Sequence, residues 1–255
     1  GTQVTLTILH PNEEEPVDIE VTRGTIDIES VLWTPIAGTN LVYLQVTQFA
    51  DDTATEVHAA LEEIRAQDPA FKGMVLDLRN NPGGYVSVLQ QVASEFLSED
   101  AVIMYERDAD GNMDSLTSTG RGLAREIPLV VLVNPGTASA GEILAGALQQ
   151  NNRAQVVGEA TTGTGTVLRP YTLSDGSVLR LGVTNWLTPD QSLLKDQGVT
   201  PDHEVTIDAE TPMIDAYALE ELDAAGIKAI EDPQFNAALN LMKGGRVAPP
   251  SSSAP

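Results

Sequence analysis

Cysteine is absent from this sequence, which excludes disulfides, thiolate metal sites and a thiol nucleophile and leaves the redox compartment open. Histidine is scarce: His10, His58 and His203 stand alone, without the i, i+4 spacing of a helical zinc site, so no metal is expected. Positive charge is also short, 14 Lys and Arg against 37 Asp and Glu, for a formal charge of −23. Such a surface repels phosphate backbones and anionic lipid, which puts nucleic acid and electrostatic membrane docking outside the expected partners. No apolar run approaches the ~18 residues that span a bilayer, and no charged-then-apolar leader opens the sequence.

What is present is a chain of 255 residues, long enough for one large domain or two small ones around a sizeable core. The first 49 residues read as strands, with alternation at Val4 to Ile8 and at Val17 to Val21 across an acidic turn at Asn12 to Pro16, then again from Leu41 to Val46. Thr53 and Glu56 have capping-box spacing, and Val57, Leu61 and Ile64 follow at helical intervals up to Asp68-Pro69. Two strand, tight-loop, helix units come next. One runs from Gly73 to Arg79 through Asn80 to Gly84 into a helix carrying Leu89, Val92, Phe96 and Leu97. The other runs from Ile127 to Val133, apolar almost throughout, into a helix carrying Ile143, Leu144, Ala147 and Leu148. This alternation predicts βαβ crossovers and a mainly parallel α/β core. Val167 to Leu173 and Val178 to Trp186 flank a turn-forming Ser174-Asp175-Gly176-Ser177, and helices are expected at Met213 to Ile230 and Gln234 to Met242. The last stretch, 244–255, has almost nothing to bury and reads as disordered.

Two loops could carry chemistry. Asn81-Pro82-Gly83-Gly84 lies between a buried strand and a helix, where glycines let backbone N–H groups converge and the helix dipole favours an anion. Taken alone, an ordinary strand-to-helix turn is the simpler explanation, because Gly-rich turns are common. Ser139, in Asn134-Pro-Gly-Thr-Ala-Ser-Ala-Gly-Glu142, occupies a second such junction, at the strand ends where open α/β sheets bind ligands. By itself it reads more simply as a plain helix N-cap, and a nucleophile also needs a base.

The two loops belong to a longer series: Asp77 to Gly84, Asn134 to Glu142, Gly146 to Gln149 with Arg153-Ala154, Gly158-Glu159 to Gly165, Leu173 to Ser177, Thr188-Pro189 and Gly198 to Asp202. Their order resembles that of the carboxyl-terminal processing proteases of the S41 serine peptidase family. The resemblance implies a ClpP/crotonase-like α/β core and a serine endopeptidase that forms an acyl-enzyme through Ser139. Gly83, Gly84 and Ala140 would lie around the oxyanion hole, and no cofactor would be needed. It implies protein or peptide substrates with exposed C-terminal tails, and a periplasmic, cell-envelope or extracellular setting. Residues 1–23 resemble the last strands of a PDZ-like domain whose remainder would lie upstream of Gly1. The domain reading is then 1–23 PDZ-like remnant and linker, 24–210 peptidase core, 211–243 C-terminal helices and 244–255 tail.

One part of the pattern departs. The family's general base is a Lys 25 residues beyond the serine, where this sequence has Thr164, and the Gln that supports it is replaced by Leu168. A Thr hydroxyl does not accept a proton near neutral pH, so the usual Ser/Lys dyad is absent. Lys195, His203 and Glu142 are the alternative bases to consider. Their plain readings are a solvated loop lysine, a residue with no motif behind it, and a first-turn helix cap. A catalytic peptidase therefore stands beside a second possibility, a non-catalytic relative that binds peptides in the old cleft by strand addition. Acyl-CoA chemistry on the same superfold is remote, because no basic cluster awaits the CoA phosphates. Asp77 and Arg79 are expected to pair and fix the Gly-Gly loop.

Overall fold

The computed structural model describes residues 1–10, 13, 15–24 and 29–245. Strands β1 (Gln3–Ile8) and β2 (Val17–Thr22) pair antiparallel as a separate two-stranded sheet, exposed along most of its length. Residues 11, 12 and 14 of the acidic turn and 246–255 of the expected disordered tail lie outside the described residues.

The centre is a six-stranded sheet. Strands β3 (Val31–Pro35) and β4 (Leu41–Val46) form its antiparallel edge, and helix α1 (Thr53–Gln67) crosses over to β5 (Gly73–Asp77), parallel to β4. After helix α2 (Val86–Phe96) the chain makes β6 (Val102–Arg107) and β7 (Met113–Thr117), then returns as β8 (Leu129–Val133) beside β5. Helix α3 (Ala140–Gln150) leads to β9 (Gln155–Gly158), and a long hairpin, β10 (Thr166–Thr172) and β11 (Val178–Leu187), precedes the short β12 (His203–Glu204). The order is β12-β9-β8-β5-β4-β3, parallel except for β3, while β10-β11-β6-β7 make a second, antiparallel sheet. The predicted α/β architecture with a mainly parallel sheet is what forms.

Every residue of β5 and β8 is buried, as expected of a sheet covered on both faces. Alternation along the strands then assigns two cores. Val42, Leu44, Val46, Met74, Leu76 and Val131 pack under α1 to α3. Tyr43, Val75, Val130, Leu132 and Val157 face the C-terminal segment, helices α4 (Ala216–Glu220), α5 (Ala224–Lys228) and α6 (Pro233–Met242).

Three local expectations change. The single helix predicted from Met213 to Ile230 is two short ones, because Asp215 and Asp223 each cap a new start, accepting from Ala218 N and from Ala225 N and Gly226 N. The Thr53/Glu56 capping box does not form. Asp52 is the N-cap, and the Glu56 carboxylate instead accepts from Ser30 N and Ser30 Oγ, tying α1 to the segment before β3. The β6–β7 hairpin was not foreseen. Its turn is built by Asp108, whose carboxylate accepts from Asp110 N, Asn112 N and Asn112 Nδ2, hydrogen bonds that hold it below its ordinary pKa.

Candidate active site

Both loops singled out from the sequence lie at the carboxyl ends of the parallel strands, after β5 and after β8. Asn81 joins them. Fully buried, it donates from Nδ2 to Val46 O at the end of β4 and accepts Gly83 N on Oδ1, while its carbonyl accepts Ala138 N next to the serine, each at 2.8 Å. Thr137 adds a second tie, donating to Leu78 O at 2.8 Å and accepting Asn134 N at 3.1 Å. Neither residue was weighed as a site residue from sequence.

Ser139 is the N-cap of α3 and has φ 53° and ψ −120°, a backbone region costly for a side-chain-bearing residue. Gly83 is the reason it can be approached so closely. With φ +96°, a Cβ on Gly83 would sit 2.6 Å from Ser139 Cβ and 2.8 Å from Ala140 N. Gly84, φ +148°, passes as closely against Phe49, whose N donates to Gly83 O and whose carbonyl accepts Tyr85 N, both at 2.9 Å. In this parallel bridge the N–H of Gly84 points away from Phe49.

These bonds divide the three expected oxyanion donors. Gly83 N–H is committed to Asn81, whereas Gly84 N–H and Ala140 N–H have no hydrogen-bond partner among the described residues. Ala140 is also the first residue of α3, so the helix dipole reinforces its donor. Of the three, Gly84 N–H and Ala140 N–H are thus the ones left open among the described residues.

Glu142 holds the site together from below. Completely buried, its Oε2 accepts Ser139 N at 2.8 Å and Thr164 N at 2.9 Å, while Oε1 accepts Thr161 Oγ1 at 2.6 Å and Gly163 N at 2.5 Å. Four donors fill the acceptor capacity of a carboxylate, leaving no position for the serine proton. Glu142 is thus the capping residue of its plain reading, extended into a clamp. Because one oxygen receives both Ser139 N and Thr164 N, the structure brings residue 164 directly beside the serine.

The other expected partners are not gathered there. Leu168 is 54% exposed on β10, beyond a bulge between Val167 and Leu168. Lys195 is exposed; its backbone abuts Gly165, and it lines a cavity with Thr166 and Leu168. His203 pairs with Val157 on β9 and lines, with Pro128, Leu129 and Asp202, a cavity of about 630 Å³ near the start of β8. Another cavity, of about 810 Å³, also lies at the amino ends of the strands, between Lys72 and Pro128 and away from the serine. No Lys, His or carboxylate is hydrogen-bonded to the Ser139 hydroxyl among the described residues. Nor does any group of three His, Asp or Glu among them form a metal cluster.

Asp77 and Arg79 do pair, at 2.6 Å, and the guanidinium reaches further, to Asp232 at 2.7 Å and Ile214 O at 3.1 Å. Burial opposes the Arg79 charge, but Asp77 and Asp232 outweigh it and raise its pKa. Tyr43 donates to Asp77 at 2.6 Å, and burial, followed by the Asp77 charge, pushes its phenol well above the ordinary value. Asp232 caps α6, so this buried network fastens the C-terminal helices to the strand that feeds the Gly-Gly loop.

A strained serine at the start of a helix, with open backbone donors at the carboxyl edge of a parallel sheet, is the arrangement of a serine acyl-transfer site. The sequence model described as Peptidase family S41 matches residues 40–205, and the chain belongs to that family. A carboxyl-terminal-processing protease of a Synechocystis species is 38% identical over 259 residues, covering 100% of this chain and 57% of the relative. The carboxy-terminal processing protease CtpB of Bacillus subtilis is 30% identical, over 79% of this chain and 42% of that protein. Among solved structures, a photosystem II D1 C-terminal processing protease aligns with a TM-score of 0.70 and 30% identity, over 89% of this chain and 61% of the other. The chain thus spans about half the length of the curated relatives it matches.

Proposed function

We propose that this chain is the peptidase part of a serine endopeptidase of the carboxyl-terminal processing type. Ser139 Oγ attacks the scissile carbonyl carbon, and Gly84 N–H and Ala140 N–H receive the charge that develops on the carbonyl oxygen. The C–N bond then breaks, the serine proton leaves with the amine, and water hydrolyses the acyl-enzyme. The observation that carries this reading is the backbone of Ser139, held in a costly conformation, together with two N–H groups, of Gly84 and Ala140, that have no partner among the described residues. With Thr164 in the lysine's position, proton transfer is the slow part of the cycle. Substrates are proteins or peptides with exposed C-terminal tails, met in the periplasm, cell envelope or extracellular space, as the family resemblance implies. No helix among the described residues is long and apolar enough to cross a membrane. The exposed β1–β2 pair fits the end of a PDZ-like module.

A second reading has its own support. Thr164 and Leu168 replace both members of the base, and Gly84 offers an open strand edge, so the cleft suits a relative that holds peptides without cutting them. The test is cleavage of an unstructured protein by this chain and by Ser139→Ala, read by mass spectrometry. New C-termini that vanish in the variant support the peptidase; identical, uncut profiles with retained peptide binding support the second reading.

A further inference from the structure

The cavity next to Thr164 has a composition at odds with the rest of the molecule. Its volume is about 490 Å³, and its walls carry two cations, Arg107 and Lys195, in a chain with a formal charge of −23. Neither cation has a carboxylate partner, since the ion pairs among the described residues belong to His58 and Arg79. Asp108, the one acidic residue on the wall, is turned back into its own loop by Asp110 N, Asn112 N and Asn112 Nδ2. The wall also holds Thr184, whose Oγ1 is buried with no partner, and an apolar side made by Leu168 and Val183. Two cations on one wall without a carboxylate partner form a site short of an anion.

Its position links it to the serine. The cavity begins at Thr166, two residues beyond the Thr164 amide that shares Glu142 Oε2 with Ser139 N, and Lys195 packs its backbone against the intervening Gly165.

We infer that the cavity lined by Arg107, Lys195 and Thr184 binds a peptide carboxylate on a short aliphatic stem, and so selects the peptides presented to Ser139. The inference rests on the reading of the cleft as a peptide site, catalytic or not. Two sources share the chemistry: an Asp or Glu side chain and the α-carboxylate of a chain end. Arg107 and Lys195 supply the charge, and Leu168 covers the stem.

The test uses Ser139→Ala, so that peptides are not consumed, and fluorescence anisotropy with three labelled alanine-rich peptides. One ends in a free carboxylate, one is amidated and carries a single Glu, and one is amidated and neutral. At least one anionic peptide should bind about tenfold tighter than the neutral one, and Lys195→Gln or Arg107→Gln should each remove most of that preference while leaving the neutral peptide unchanged. Preference for the free end identifies the α-carboxylate; preference for the amidated Glu peptide identifies the side chain. Equal binding of all three, a preference that survives both substitutions, or no anionic-peptide binding up to about 1 mM overturns the inference. A preference that persists while the parent chain cuts nothing retires the peptidase reading and leaves the pocket standing.

Discussion

The two sides of the candidate site are built to different standards. On the side proposed to hold the nucleophile and the anion, Ser139, Gly83 and Ala138 are fixed by buried groups, Asn81 and Glu142, with the side-chain polar atoms of those clamps engaged. On the side that should take the proton, Thr164 is held only through its backbone, and Leu168 points a bare apolar side chain to solvent. The contrast teaches that preorganising an oxyanion site and supplying a base are separable tasks. The first rests on backbone geometry and buried hydrogen bonds, which a substitution at 164 leaves intact. The second rests on side chains that one or two changes remove.

The largest effect should come from breaking the well-built side. Glu142→Ala leaves four donors without their acceptor, two of them buried and each of those worth about 1–3 kcal/mol, so chemical denaturation should show a loss of at least about 2 kcal/mol. Glu142→Gln, which keeps the acceptor oxygen but adds two donors, should fall between. Next in size, Gly83→Ala drives a Cβ against Ser139 and Ala140. By pushing Ala140 N–H out of line, the change should lower reactivity at Ser139 by about 10²-fold, the cost of losing that donor, and the backbone clash should lower the melting temperature as well.

The third prediction works on the bare side. Thr164→Lys alone should change the rate of peptide cleavage little, because Leu168 cannot support the amine, whereas Thr164→Lys with Leu168→Gln should raise it by about 10²-fold. A large gain from the single change would show that the proton-accepting side is more complete than described. The smallest effect lies away from the site, at the α1–α2 contact. The hydrogen bond from His58 to Glu95, at 2.7 Å, raises the imidazole above its ordinary 6.5. A raised folded-state value gives stabilisation that is full below 6.5 and lost as pH rises through the folded value. Since His58 is about half exposed, His58→Gln should cost only a few tenths of a kcal/mol at pH 5.5 and nothing measurable at pH 8.5, by urea unfolding at the two values.

Legibility in the sequence followed the same division. The fully apolar Leu129 to Val133, the Gly83-Gly84 loop and the small residues around Ser139 are local signals, and each lands where it was expected. What stayed hidden is long-range. Asn81 looks like a turn residue until its side chain meets Val46, and Asp232 looks like a helix cap until Arg79 reaches it across 153 positions. Glu142 could be read as a cap, but nothing in its neighbourhood announced Thr161, Gly163 and Thr164. The β6–β7 hairpin was missed because its strands are only partly buried and so lack a clear period, although Asp110-Gly111 marks the turn. Thr164, 25 residues beyond Ser139, shares Glu142 Oε2 with the serine's own amide.

The measurement that tests the central claim most directly is intact mass after exposure to a fluorophosphonate probe, on this chain and on Ser139→Ala. The account predicts one adduct on the parent chain and none on the variant, because the strained serine and its two open N–H groups are assembled without the lysine. No adduct on either, or the same adduct on both, would contradict it.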